Sequence, residues 1–242
     1  MLFYVYCLSD EVTDRMIESA AGVRGAGEPR LIQCGGVAAV VSELEGERVS
    51  LTRENVFAHE RVIGRVLAHT TPLPFRFGTV VSAARLETYI DSQREFLQAQ
   101  LTRVRGTVEM SVKVIWPVPV VKRETLTGGA QEVEPTAEPQ EEGLGAAYLS
   151  AKRREILGDE SSRSEAEETA RWLAARLGDA VRETETSVRP LETLVLAVAH
   201  MVERRRLEAY RERLRAARLE RNQLHFLTSG PWPPYSFVQA RS

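Results

Sequence analysis

Between Gly128 and Gly143 the chain carries five glutamates (Glu132, Glu134, Glu138, Glu141 and Glu142), two prolines and no basic side chain. Like charges at that density repel, and the stretch has almost no apolar surface to bury, so it cannot form the inside of a fold. It reads as an acidic flexible linker or long loop dividing the 242 residues into units spanning 1–127 and 144–242. Charge on either side is nearly balanced, with 15 basic against 15 acidic residues before it and 17 against 14 after. At 43% hydrophobic residues, each unit can bury an ordinary core.

The first unit alternates strand and helix signals. Leu2 to Leu8 is an aromatic and β-branched run, hence a strand, and Thr13 to Ala21 is a short helix stopped by Gly22. Leu31–Cys34 and Val37–Val41 meet at Gly35-Gly36 as two strands joined by a tight turn. Thr52 opens a helix with Val56, His59, Ile63, Val66 and Leu67 on one stripe, which Pro72 ends. Ser82 caps another helix carrying Leu86, Ile90, Leu97, Leu101 and Val104, closed by Gly106. Val108 to Trp116 then alternates as a half-buried strand. That order predicts an α+β fold whose N-terminal domain is ferredoxin-like, a βαββαβ sheet with helices on one face.

The second unit predicts a smaller α+β domain. Its helices run from Gly145 to Leu157 and from a capping box of Ser162 and Glu165 to Gly178. Strands over Thr184–Val188 and Leu194–Ala199 follow, then a charged helix from Glu203 to Arg221 and a strand through Leu224, Phe226 and Thr228. A C-terminal tail rich in proline and aromatics closes the domain.

The residue inventory excludes several chemistries. Two cysteines, Cys7 and Cys34, cannot build a disulfide scaffold or a four-cysteine zinc site. His59-Glu60 begins like a zinc-protease H-E-x-x-H, but Ile63 stands where the second ligand belongs, so His59 reads as a hydrogen-bonded core histidine. Phosphate-binding glycine loops and a G-x-S-x-G elbow are missing. No catalytic, cofactor-binding or metal-binding residues are predicted, and the chain is not expected to be an enzyme. The apolar N-terminus lacks a basic leader and is followed at once by Asp10 and Glu11, and no run is long enough to span a bilayer. A cytoplasmic chain with no membrane contact is therefore expected.

Arginine supplies 29 of the 32 basic residues, and eight of them lie in helix 203–221. Glu203, Glu208, Glu212 and Glu220 are interleaved, so the helix reads as a salt-bridged solvated face. A protein-partner surface, or a regulatory module that binds nucleic acid or lipid, is the alternative reading. With a net charge of −2 and no strongly basic domain, nucleic acid is not the expected partner.

Two clusters of proline and aromatic residues remain. Thr71-Pro72-Leu73-Pro74-Phe75-Arg76-Phe77-Gly78-Thr79 places two phenylalanines and an arginine on rigid turns. Gly230-Pro231-Trp232-Pro233-Pro234-Tyr235-Ser236-Phe237 holds three aromatics in extended geometry with little entropy left to lose. Each either staples a loop to its own core or forms a recognition surface. Phe75, Arg76, Phe77, Trp232, Tyr235 and Phe237 are thus the candidate interaction or clasp residues.

These segments resemble the gas vesicle protein F/L family (GvpF/GvpL). The opening Tyr4-Val5-Tyr6, the Leu73-to-Thr79 segment after a helix bearing His59, the Glu109-to-Lys113 strand, the Gly145-Ala146-Ala147-Tyr148-Leu149 helix start and the Gly230-to-Phe237 ending occur in the family's order. The resemblance implies a non-enzymatic accessory protein without cofactor. It would work at the gas vesicle with the shell protein, gas vesicle protein A, and other accessory proteins as partners. It also implies a ferredoxin-like N-terminal domain and a second α+β domain closed by the tail.

Overall fold

The computed structural model describes residues 1–116, 163–190 and 194–238. Its first sheet is built on β1 (Leu2–Ser9), whose Phe3 to Leu8 are all buried. β1 pairs antiparallel with β3 (Val37–Leu44), which pairs with β2 (Arg30–Cys34). The β2–β3 turn is Gly35-Gly36, with φ of +58° and +83°, the pair of positive angles that a two-residue hairpin with native twist requires. A register shift between Val5 and Cys7 leaves Tyr6 as an extra residue on β1.

Helices cover this sheet on both faces. Thr52 caps α2 (Arg53–His69) by accepting the Asn55 amide, and Ala58, Val62, Ile63 and Val66 of α2 pack with Tyr4, Tyr6 and Cys7. The four-residue α1 (Asp14–Ile17) adds Ile17 to the same cluster. On the opposite face, α3 (Ala83–Ser92) and α4 (Arg94–Val104) pack Leu86, Ile90, Leu97, Leu101 and Val104 against Phe3, Val5, Val37 and Ala39. The single helix expected from Ser82 to Gly106 is broken at Gln93, where ψ is +15° and the Ser92 hydroxyl donates to the Tyr89 carbonyl. Leu86 and Ile90 before the break and Leu97, Leu101 and Val104 after it still pack into one core. Burial on both faces explains why β1 is a continuous apolar run rather than an alternating one.

The ferredoxin-like arrangement predicted for the N-terminal half needs correction in two respects. Helices lie on both faces of the first sheet, and the Val108–Trp116 strand is not part of it. The free edge of β1 is taken by two short strands, β4 (Leu73–Pro74) opposite Cys7 and Leu8, and β5 (Val80–Ser82) opposite Leu2 to Tyr4. Neither is long enough to show a period of two, and Pro74, which has no N–H to donate, is tolerated because this strand lies at an edge. The predicted strand, β6 (Thr107–Ile115), lies inside the second sheet.

That sheet is antiparallel throughout, in the order β7 (Glu183–Pro190), β8 (Leu194–Glu203), β6, β9 (His225–Trp232). α5 (163–177) and α6 (Leu207–Glu220) cover one face, where Leu173, Leu177, Tyr210 and Leu214 meet Val108, Val112, Val114 and Leu196. On the other face, Met201 of β8 joins the cluster of Leu97, Leu101 and Val104, so α4 takes part in the packing of both sheets. Arg103 of α4 adds a two-pronged ion pair to Glu183 of β7, at 3.1 and 2.5 Å. The acidic stretch 128–143, the helix expected from Gly145 to Leu157 and the capping Ser162 lie outside the described residues.

β9 approaches β6 unusually closely at Gly230. Its φ is +120°, and a Cβ there would sit 2.8 Å from the Glu109 carbonyl oxygen. Both the backbone angle and the contact exclude a side chain. Gly230→Ala should therefore lower the melting temperature by several degrees, measurable by circular dichroism. An unchanged melt would mean that β9 can shift on β6 without loss.

Candidate functional site

The Leu73-to-Thr79 segment and the C-terminal ending, distant in sequence, converge on one histidine. α2 presents His59, which is fully buried, toward β1. Its Nε2 lies 3.2 Å from the Phe75 carbonyl and its Nδ1 2.9 Å from the Tyr4 hydroxyl. A carbonyl only accepts, so Nε2 carries the proton and Nδ1 accepts from Tyr4. The Tyr4 oxygen in turn accepts from the Gly78 amide at 3.2 Å. Phe77 stands edge-on to both rings, with centroids 5.8 Å from His59 and 6.1 Å from Tyr4. Phe75 leaves its ring beside Tyr89, while its amide donates to the Tyr6 carbonyl at 2.8 Å.

The ending reaches this cluster from the second sheet. Pro233 and Pro234 are buried as the chain leaves β9, and one turn, closed by the Phe237 and Val238 amides donating to the Pro234 carbonyl, brings the chain back. The Tyr235 hydroxyl donates to Glu60 Oε1 at 3.1 Å and sits 3.5 Å from His59 Nε2. Ser236 donates twice to Glu109 of β6, from its amide and its hydroxyl, each at 2.8 Å. Phe237 is only 2% exposed and lies in the cluster of Leu97, Leu101 and Met201. Of the six candidate residues, Phe75, Phe77 and Tyr235 thus meet around His59, and Phe237 fills the neighbouring core. Trp232 stays apart at 40% exposure, with its indole N–H on the Ser229 hydroxyl.

Burial sets the electrostatics. Desolvation holds His59 neutral, with its pKa lowered to about 4, and pushes the Tyr4 phenol up to about 12. Burial chiefly raises Tyr235, with the Glu60 carboxylate adding to the effect. Glu60 and Glu109 are raised by desolvation, partly offset by the hydrogen bonds they accept from Tyr235 and Ser236. Every polar group in the cluster is engaged and water is excluded from the ring nitrogens, so the arrangement holds the chain together and offers no free acid, base or nucleophile. Among the described residues no group of three histidine, cysteine or carboxylate side chains is placed to hold a metal ion.

Where tail and turn meet, a groove of about 830 Å³ opens to solvent, with Phe75, Tyr89, Phe96, Leu97 and Val238 on its walls. Arg76 stands exposed on its rim, and its guanidinium has no hydrogen-bond or ion-pair partner among the described residues. Glu60, Glu109 and Ser236, which anchor the tail, escaped sequence reasoning. No local signal marked them, since Glu109 holds the ordinary polar position between Val108 and Met110 on an alternating strand.

The arginine helix is only partly free. Arg206 and Arg213 both bind Asp179, at 2.8 and 2.7 Å, and Arg213 also donates to the Leu177 carbonyl. Arg221 lies 4.4 Å over the Trp172 ring and donates to Thr169 at 2.9 Å. Arg204 reaches across to the carbonyls of Leu67 and Thr70. These side chains fasten α6 to α5 and the second sheet to the first.

A family model described as gas vesicle synthesis protein GvpL/GvpF matches residues 2–239. Among curated proteins, gas vesicle protein F1 of Halobacterium salinarum is 26% identical over 222 residues, 90% of this chain and 84% of that protein. Gas vesicle protein L of a Streptomyces species is 28% identical over 260 residues, 98% of this chain and 92% of that protein. The crystal structure of the gas vesicle protein GvpF from Anabaena sp. PCC7120 superposes with a TM-score of 0.73 at 19% identity, covering 100% of this chain and 97% of that one. GvpF from Microcystis aeruginosa gives the same TM-score at 16% identity, covering 99% of each chain.

Proposed function

The chain belongs to the gas vesicle synthesis protein GvpL/GvpF family, and on that premise we propose that it is a non-enzymatic accessory protein of gas vesicle assembly that binds the hydrophobic shell subunit, gas vesicle protein A. It works in the cytoplasm at the growing vesicle, alongside other accessory proteins. A subunit whose apolar face ends against gas would aggregate in water, and a partner that covers that face delivers it intact.

The observation that carries this reading is the groove between the Leu73-to-Thr79 turn and the tail, where Phe75, Tyr89, Phe96, Leu97 and Val238 share the walls with polar Gln100 and Ser236 and the unpartnered Arg76 marks the rim. Such a groove suits an apolar segment that carries a carboxylate at its edge. No helix among the described residues is long and apolar enough to cross a membrane. A nucleic-acid role for helix 203–221 loses support because Arg204, Arg206, Arg213 and Arg221 are committed within the fold.

Co-expression with the shell protein and affinity capture tests the proposal. Arg76→Glu should reduce captured shell protein about tenfold, because it reverses the one free charge at the rim, and should leave the melting temperature within about 1 °C, as expected for an exposed site. Undiminished capture by an Arg76→Glu, Phe96→Ala double variant would move the binding surface elsewhere.

A further inference from the structure

Three arginines of α6 are left over from the contacts that fasten it. Arg211 and Arg215 share a single exposed carboxylate, Glu208, at 3.5 and 3.2 Å. Arg218 has no ion-pair or hydrogen-bond partner among the described residues. All three line the trough between α6 and β9, where two adjoining hollows of about 240 and 510 Å³ share Arg215 and Arg218. Two leucines stand beside it in water, Leu219 at 79% and Leu227 at 58% exposure. β9 is an edge strand that pairs only with β6, and its residues Leu227 to Ser229 are exposed. Along such an edge every second residue turns its N–H and C=O outward, which is a template for one more strand.

We propose that this trough is a docking surface for an extended acidic segment of a partner protein, which adds to β9 as a further strand. Its carboxylates lie against Arg211, Arg215 and Arg218 on the α6 side, and its apolar side chains, on the opposite face, cover Leu227. The spacing fits. Arginines four and three residues apart on a helix span about 10 Å, and three same-face residues of a strand span about 13 Å, a difference that flexible guanidinium arms absorb. A nucleic-acid backbone would meet the arginines but leave the strand edge and Leu227 unused. A second copy of this chain, paired β9 to β9, would bring like arginine rows together and repel. The proposal does not rest on the groove beside Arg76 or on shell-protein binding.

The test uses the full-length chain and a fluorescein-labelled decapeptide that alternates glutamate with valine and threonine, followed by anisotropy. The glutamate peptide should bind, and a matching lysine peptide should not. The variant R211E/R215E/R218E should bind the glutamate peptide at least tenfold more weakly and gain affinity for the lysine peptide. Peptide binding should slow amide exchange in residues 225–229. If the triple variant melts early, R215Q/R218Q should still weaken binding at least threefold. Equal binding of both peptides, or binding without protection of β9, would overturn the proposal. So would a single-stranded DNA of equal charge that binds at least as tightly as the glutamate peptide. Binding that arises only after deletion of residues 128–143 would overturn it too, in favour of the chain's own acidic stretch.

Discussion

Truncation after Trp232 should lower the melting temperature by about 10 °C, because Pro233 to Val238 are packed against both halves of the protein. Phe237 is buried at 2% exposure, and burying a large apolar side chain contributes about 1.5–3 kcal/mol. Glu109 loses both hydrogen bonds from Ser236, and a buried polar group left unpaired costs about 1–3 kcal/mol. Loss of Tyr235 adds the Glu60 contact and the lid over His59. A sum near 4 kcal/mol corresponds to roughly 8–16 °C at about 2–4 °C per kcal/mol for a chain of this size. Differential scanning calorimetry of the truncated and full-length chains measures it, with Phe237→Ala and Glu109→Gln apportioning the loss. A truncated protein that melts within 2 °C of the full chain but no longer captures shell protein would make the tail a free recognition peptide rather than a clasp.

How legible this was in the sequence differs by element. The long elements were visible from local sequence: α2 and α6 by an apolar stripe at helical spacing, and β1, the β2–β3 hairpin and β8 by apolar, β-branched runs bounded by turn or charged residues. Strand pairing was not visible. β6 has an ordinary alternating pattern, and nothing in Thr107–Ile115 distinguishes a strand finishing the first sheet from one at the centre of the second. The answer depended on β4 and β5, five residues in all, already occupying the free edge of β1. At the candidate site the aromatics announced themselves by composition, whereas their partners did not. Glu60 and Glu109 look like any other glutamates until the tail is folded over them. The arginine helix shows the converse, since its charge was plain but the division between inward anchors and a free row facing β9 depends on where Asp179 and β9 lie.

The protein should also lose several kcal/mol of stability between pH 6.5 and pH 4, through two histidines that serve the two sheets separately. His59 binds Tyr4 and the Phe75 carbonyl, and His200 of β8 binds the Tyr210 hydroxyl at 2.9 Å, beneath α6. Desolvation lowers each pKa from the ordinary 6.5 to about 4. A depressed histidine means that the unfolded chain takes up a proton first. Both contributions are therefore fully present above pH 6.5 and vanish as the pH falls toward 4. At 1.36 kcal/mol per pH unit, each histidine accounts for roughly 3 kcal/mol. Glu60 and Glu109 act in the opposite sense, since their raised pKa lets the folded form take up protons first as the medium becomes acid. They offset part of the loss as the medium becomes acid. Calorimetry in buffers of different ionisation enthalpy should find between one and two protons bound on unfolding near pH 5.5 and none from these groups at pH 8. Equal melting temperatures at pH 7.5 and pH 5 would show that both rings can be protonated in place. For His59 that would require Tyr4 to turn from donor to acceptor while still receiving the Gly78 amide, and Nε2–H to keep its hold on Phe75, so that the tail would stay seated over a charged ring.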